Sequence, residues 1–170
     1  MNIQELSTLE KTFNQLLETL LIKKAEHEHF TIRLSSESSQ FTRFNSAKVR
    51  QTGYVHDAAI QLTLMANQRS SFRQFPWKNN WELDWELADT ALQELRDELP
   101  LLPMDPYLVL PSENNTSQEV NIGKLLTPEI LVPSILETVS NLDFTGMYAG
   151  GIVIRGYGDS SGQKHWFATN

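Results

Sequence analysis

Residues able to do chemistry are few and scattered in this sequence. His27, Glu28 and His29 stand side by side, and at strand spacing the two imidazoles project from one face, where they could share a metal ion. Two imidazoles do not complete a zinc site, and the helical His-Glu-x-x-His spacing is absent. The stretch reads as a solvated junction between a helix and a strand. His56-Asp57 has the composition of half a nucleophilic triad, but no serine stands in Gly-x-Ser-x-Gly. These two are read as turn residues before a strand. His165, beside Trp166 and Phe167, is read as a strand histidine. Acids such as Asp84 and Glu94 fall on a solvated helix face, with nothing to raise a carboxyl pKa. The chain has no Cys, which excludes a disulfide, a thiol nucleophile and Cys-ligated zinc.

Glycines 146, 150, 151, 156, 158 and 162 invite comparison with a phosphate loop. Neither Gly-x-x-x-x-Gly-Lys-Ser/Thr nor Gly-x-Gly-x-x-Gly before a helix is present. Gly156-Tyr157-Gly158 leads into a turn and a strand, so no helix N-terminus is available to hold phosphate. Turn and bulge positions are expected for these glycines. Trp77, Trp81 and Trp85 could stack a ligand, yet Trp81 and Trp85 fall on a helical stripe and read as core. No cofactor and no metal is expected.

The elements that would position these residues follow from periodicity. Leu6, Leu9, Phe13, Leu16, Leu17, Leu20 and Leu21 recur at three- and four-residue steps, predicting a helix over about 3–24. An Asn2–Glu5 capping box and a Met1–Leu6 staple would start it. The period then becomes two. Phe30, Ile32 and Leu34 alternate with polar residues, Ser35 to Ser39 read as a turn, and a second strand covers 41–51, with an interruption near Asn45-Ser46, until Gly53 breaks it. A third strand over 58–65, a turn at 66–69 and a fourth strand over 70–75 complete an antiparallel meander. Trp81, Trp85, Ala88, Leu92, Leu95 and Leu99 predict a second helix over about 80–99, capped by Asn79 with Glu82 and laid on the sheet. Residues 101–124, with three prolines, read as a long loop. Thr127-Pro128 starts a further helix that Pro133 would interrupt, with Ile135, Leu136 and Val139 as its inner face. A β-hairpin ends the chain. The fold class expected is α+β, one domain over 1–170.

Composition narrows the function classes. The 170 residues are 40% hydrophobic, enough for a core without metal or disulfide. The net charge of −7 argues against a dedicated nucleic-acid binder. Charge is nonetheless uneven: residues 30–75 hold six cations against two acids, and 82–98 hold seven acids against one cation. A basic sheet face near an acidic helix, both solvated, is the expectation. The N-terminus lacks a basic start, and the apolar run Leu20-Leu21-Ile22 is far short of the ~20 residues that cross a bilayer. A soluble, cytoplasmic protein without membrane contact is expected.

Three stretches together resemble a known family: Ser38 to Gln51 with its Thr42-Arg43-Phe44-Asn45, the strand pair Ala58 to Phe72, and Gly146 to Thr169 with Asp159-Ser160-Ser161-Gly162 and His165-Trp166-Phe167. They are similar to the N-terminal domain of the TldD/PmbA proteins, known as modulators of DNA gyrase and zinc peptidase subunits. Asp159 stands where the family usually has Asn. The resemblance covers nearly the whole chain in order. It implies zinc on a later His-Glu-x-x-x-His helix with a Cys ligand, and neither is present in this sequence. The chain thus reads as a short form of the family's first domain, with the catalytic C-terminal domain absent and no peptidase residue to carry over. The resemblance implies a non-catalytic scaffold that aids assembly or presents an extended peptide, as a homodimer or a family-type heterodimer. The alternative is a stand-alone protein-binding or regulatory module; an independent enzyme comes third. The surface expected to meet a peptide or protein partner is the terminal hairpin, through Ile154, Arg155, Lys164 and Trp166, on a sheet edge left unpaired; the alternative is that its apolar residues pack on the two helices, with the edge covered by the loop 101–124.

Overall fold

The computed structural model describes residues 3–112 and 114–170. Helix α1 (Ile3–Lys23) is followed by strands β1 (His29–Asn45), β2 (Lys48–Ala66) and β3 (Arg69–Pro76) and helix α2 (Trp81–Glu98). Strand β4 (Thr116–Asn121), helix α3 (Pro128–Thr138) and strands β5 (Gly146–Asp159) and β6 (Lys164–Thr169) complete the chain. The expected Asn2 cap and Met1 staple lie outside the described residues.

The six strands form one sheet in the order β3-β2-β1-β5-β6-β4. All neighbours are antiparallel except β4 and β6, which are parallel. The fold is therefore α+β, as the two periodicities indicate. The meander and the terminal hairpin are one sheet, joined where β5 pairs with β1 from Thr31↔Asp159 to Phe44↔Gly146. The leucine stripe of α1 and the Ala88, Leu92, Leu95 side of α2 close over Phe30, Ile32, Leu34, Ile60, Leu62 and Leu64 to make one core. Each large side chain so buried contributes roughly 1.5–3 kcal/mol of transfer free energy. Among the described residues no helix is long and apolar enough to cross a membrane.

Several expectations are corrected. Ser35–Ser39 is not a turn: these residues pair on one side with Ala59 to Val55 and on the other with Arg155 to Gly151. Two partner strands supply every backbone hydrogen bond, and this outweighs the weak strand preference of serine. Gly53 does not break β2. It pairs with Phe41, whose ring carbons lie 2.9 Å from where a Cβ would stand, so the aromatic covers the bare backbone. The chain reverses at Ser46-Ala47 (φ 49° and 52°), beside the interruption expected near Asn45-Ser46, and at Asn67-Gln68 (φ 51° and 58°), within the turn expected at 66–69; both are two-residue turns whose twist suits a hairpin. His56-Asp57 therefore sits within β2, not in a turn.

The loop expected over 101–124 contains β4, whose polar, fully exposed Thr-Ser-Gln-Glu-Val-Asn carries no alternation to betray a strand. Helix α3 runs through Pro133 without interruption. Thr127 occupies its N-cap position but makes no side-chain capping bond, and no residue of α3 is buried, so Ile135 and Leu136 are only partly covered. Helix α2 is capped by Asn80, one residue later than expected, with Leu83 N donating to its side chain at 3.2 Å. Asp84 is fully buried, not solvated. Its carboxylate accepts from Lys78 N at 2.7 Å and Asn80 N at 2.9 Å, fixing the entry to the helix.

Candidate functional site

The β5–β6 turn is built around one side chain. Asp159 is fully buried, and its Oδ1 accepts from the backbone N–H groups of Ser161 (2.8 Å), Gly162 (3.1 Å) and Gln163 (3.1 Å) and from Ser161 Oγ (2.7 Å). Gly162 takes φ 106°, which suits a residue without a side chain. Tyr157 donates its hydroxyl to Asp159 Oδ2 at 3.1 Å. Burial, reinforced by that hydrogen bond and by the Asp159 charge, pushes the Tyr157 phenol up to about 12. Tyr157 is thus a neutral donor at physiological pH, not a base.

On the sheet face away from the helices the same tyrosine links a row of polar and aromatic groups. The Arg33 guanidinium lies 5.8 Å from the Tyr157 ring centre, and the His165 ring 5.9 Å from it on the other side. Ser117 Oγ is 2.8 Å from His165 Nδ1, and Gln163 Oε1 is 3.3 Å from Nε2. Arg155 is exposed and donates to Ser36 O at 3.1 Å and to its own strand at Ile154 O at 2.8 Å. Ser117, Glu119, Arg155, Tyr157, His165 and Phe167 line a shallow depression of about 140 Å³. A serine bonded to an imidazole is half a nucleophilic pair, but the other imidazole nitrogen meets an amide rather than a carboxylate, and the serine sits on an open edge strand. The arrangement suits hydrogen bonding to an extended polar ligand. Ser117 was not legible as a member, because β4 itself was not.

The hairpin residues expected to contact a partner divide in two. Ile154 and Trp166 are buried, Trp166 lying 5.9 Å from Phe13, and offer no surface. Arg155 is exposed and Lys164 half-buried. The unpaired hairpin edge does not hold: β5 is held by β1, and β6 is covered by β4, which lies in the 101–124 stretch, as the alternative reading expected. Gly156 and Gly158 are not turn glycines. A Cβ at 158 would stand 2.5 Å from Leu17 Cδ2, so the bare backbone lets α1 press onto the sheet.

The other candidates fall elsewhere. His27 precedes β1 and His29 opens it, while Glu28 is buried, not solvated. Arg96 grips Glu28 with Nε to Oε1 at 2.7 Å and Nη2 to Oε2 at 2.8 Å. The hydrogen bond from Arg96, followed by that from Ala25 N and the Arg96 charge, holds the Glu28 carboxyl below its usual range against the opposing effect of burial. Among the described residues no three His, Asp or Glu side chains are placed to share a metal ion. Trp81 and Trp85 stack at 6.1 Å against the core, and Trp77 is buried. The cations of β3 do not stand apart from the acids of α2: Arg73 bonds Glu94 at 3.0 Å and Glu98 at 2.9 Å.

This architecture occurs in solved proteins. TldE from Thermococcus kodakarensis superposes with a TM-score of 0.68 at 14% identity over 93% of this chain. A candidate modulator of DNA gyrase from Thermotoga maritima matches with a TM-score of 0.61 at 13% identity over 94% of it, and one from Bacteroides thetaiotaomicron with 0.60 at 14% over 93%. The chain spans little more than a third of the length of these proteins, 37%, 37% and 38% respectively. No family's sequence pattern matches the chain, and no curated protein matches it in sequence. The chain has the fold of part of the TldD/PmbA-type proteins, TldE and the gyrase-modulator relatives among them, and the resemblance in its three motifs is met at the level of fold.

Proposed function

We propose that this chain is a non-catalytic scaffold domain of a TldD/PmbA-like metallopeptidase, aiding assembly or the presentation of an extended peptide. The observation that carries the reading is the shared fold over more than nine-tenths of the chain. The open face of β5, β6 and β4 supports it with hydrogen-bond donors and acceptors. Arg155 supplies the positive charge for a peptide carboxylate, with Phe167 beside it as apolar contact; Lys164 lies on the helix-covered side of the sheet, near Glu10 and Asn14.

The test is sedimentation velocity over a range of concentrations on the wild type and Arg155→Glu. The reading expects association that weakens in the variant while the melting temperature stays nearly unchanged. A concentration-independent monomer in both chains, with no response to added unfolded peptide, sinks it. The second reading, a stand-alone protein-binding or regulatory module, rests on the same open face with Arg155, Tyr157 and His165 used without a peptidase partner domain. The genomic reading frame after Asn170 separates the two: a continuing frame with His-Glu-x-x-x-His supports the first.

A further inference from the structure

The end of the sheet where β1 begins carries a second arrangement, independent of the peptide reading. A cavity of about 380 Å³ opens between the start of β1, the β2–β3 turn and the end of α2. Leu64 and Leu99 floor it, and His27, Glu28, Asn67, Arg69 and Arg96 line its walls. Two arginines therefore line one space in which, among the described lining residues, the acid is Glu28, itself already paired.

Both guanidinium groups are held in place by protein bonds that leave part of the fork free. Arg69 donates Nε to Leu102 O at 2.7 Å and Nη1 to Asn67 O at 3.4 Å, which leaves Nη2 without a partner among the described residues. Arg96 commits Nε and Nη2 to Glu28 and Nη2 also to Lys23 O at 2.9 Å, which leaves Nη1 without one. Fixing both side chains before a ligand arrives removes most of the entropy that ordering them would cost. Two spare N–H-bearing nitrogens, a net positive charge and an apolar floor select for an oxygen anion with a small body.

We propose that this cavity binds a small oxyanion, a carboxylate or a phosphoryl group, between Arg69 and Arg96. Arg69 and Arg96 supply charge and paired donors, and the Asn67 amide and the His27 imidazole stand in the same wall as further polar contacts. The bound group sits beside Glu28 without displacing it, because the bonds to Glu28 use other nitrogens of Arg96 than the one left free.

The test is a titration of the isotopically labelled full chain followed by amide chemical shifts, with inorganic phosphate in one arm and N-acetyl-glycylglycine in the other. The proposal expects saturable shifts confined to the amides around His27 and 66–69, and the tighter arm identifies the source of the anion. Arg69→Gln should weaken binding by at least about tenfold, the worth of one charged hydrogen-bond partner. Arg69→Lys, which keeps the charge and loses the fork, should fall between the two, and Lys48→Gln on the distant hairpin tip should bind as the wild type does. If Arg69→Gln loosens the chain by losing Leu102, the wild-type shift map and Arg69→Lys still decide. Non-saturating shifts spread over the exposed cations, or equal binding by wild type and Arg69→Lys and Arg69→Gln, overturns the proposal.

Discussion

Asp159 and Glu28 are buried carboxylates with opposite kinds of partner. Asp159 gathers neutral donors from its own turn, so Asp159→Ala strands several backbone N–H groups and the Tyr157 hydroxyl. Urea unfolding should show a loss of ~2–4 kcal/mol, while Asp159→Asn, which keeps an acceptor in place, should lose about half as much. Glu28 is tied to a cation, and removing that cation leaves a charge buried alone. Arg96→Gln should cost ~2–4 kcal/mol at neutral pH. The pH dependence follows from the depressed Glu28 carboxyl: folding holds it below its ordinary 4.5, so the pair stabilises the fold fully above that value. The contribution is lost as pH falls through the lowered folded value. Denaturant midpoints measured from pH 7 downward should therefore fall more gently in Glu28→Gln than in the wild type below about pH 5. An unchanged slope would show that the pair does not carry acid stability.

At the scale of elements, what the sequence disclosed and what it hid have one cause. Stripes such as Leu6 to Leu20 and Trp81 to Leu99 announce their helices because each buries a single continuous face. Phe30, Ile32 and Leu34 announce β1 for the same reason. The serine run, Gly53 and β4 are hidden because their strand state is imposed by neighbours distant in sequence: β5 for the serines, Phe41 for Gly53 and β6 for β4. The candidate face suffered likewise. Arg155 could be read from the terminal hairpin, but Ser117 and Arg33 join it only through sheet order. The glycines under α1 are the same kind of fact. Gly158→Ala should lose ~1–3 kcal/mol by forcing a methyl against Leu17. Combined with Leu17→Ala, the two losses should sum to less than their separate values by at least ~0.5 kcal/mol, because the smaller side chain makes room. Strict additivity in thermal or urea unfolding would show that α1 does not rest on that glycine.

On the scale of the whole molecule, two helices cover one face of a six-stranded sheet and leave the other open, with Arg33, Arg155, Tyr157, His165 and Ser117 across it. Such a face has the hydrogen-bonding groups for recognition of an extended polar ligand. The most direct measurement is to titrate a fluorescent unfolded peptide with the purified chain while following the peptide by mass spectrometry in the presence of zinc. A saturable rise in anisotropy that Arg155→Glu reduces, with the peptide intact throughout, is the expected result. Chelator-sensitive cleavage of the peptide by the homogeneous chain, or no binding at any concentration, would contradict a non-catalytic scaffold that presents an extended peptide.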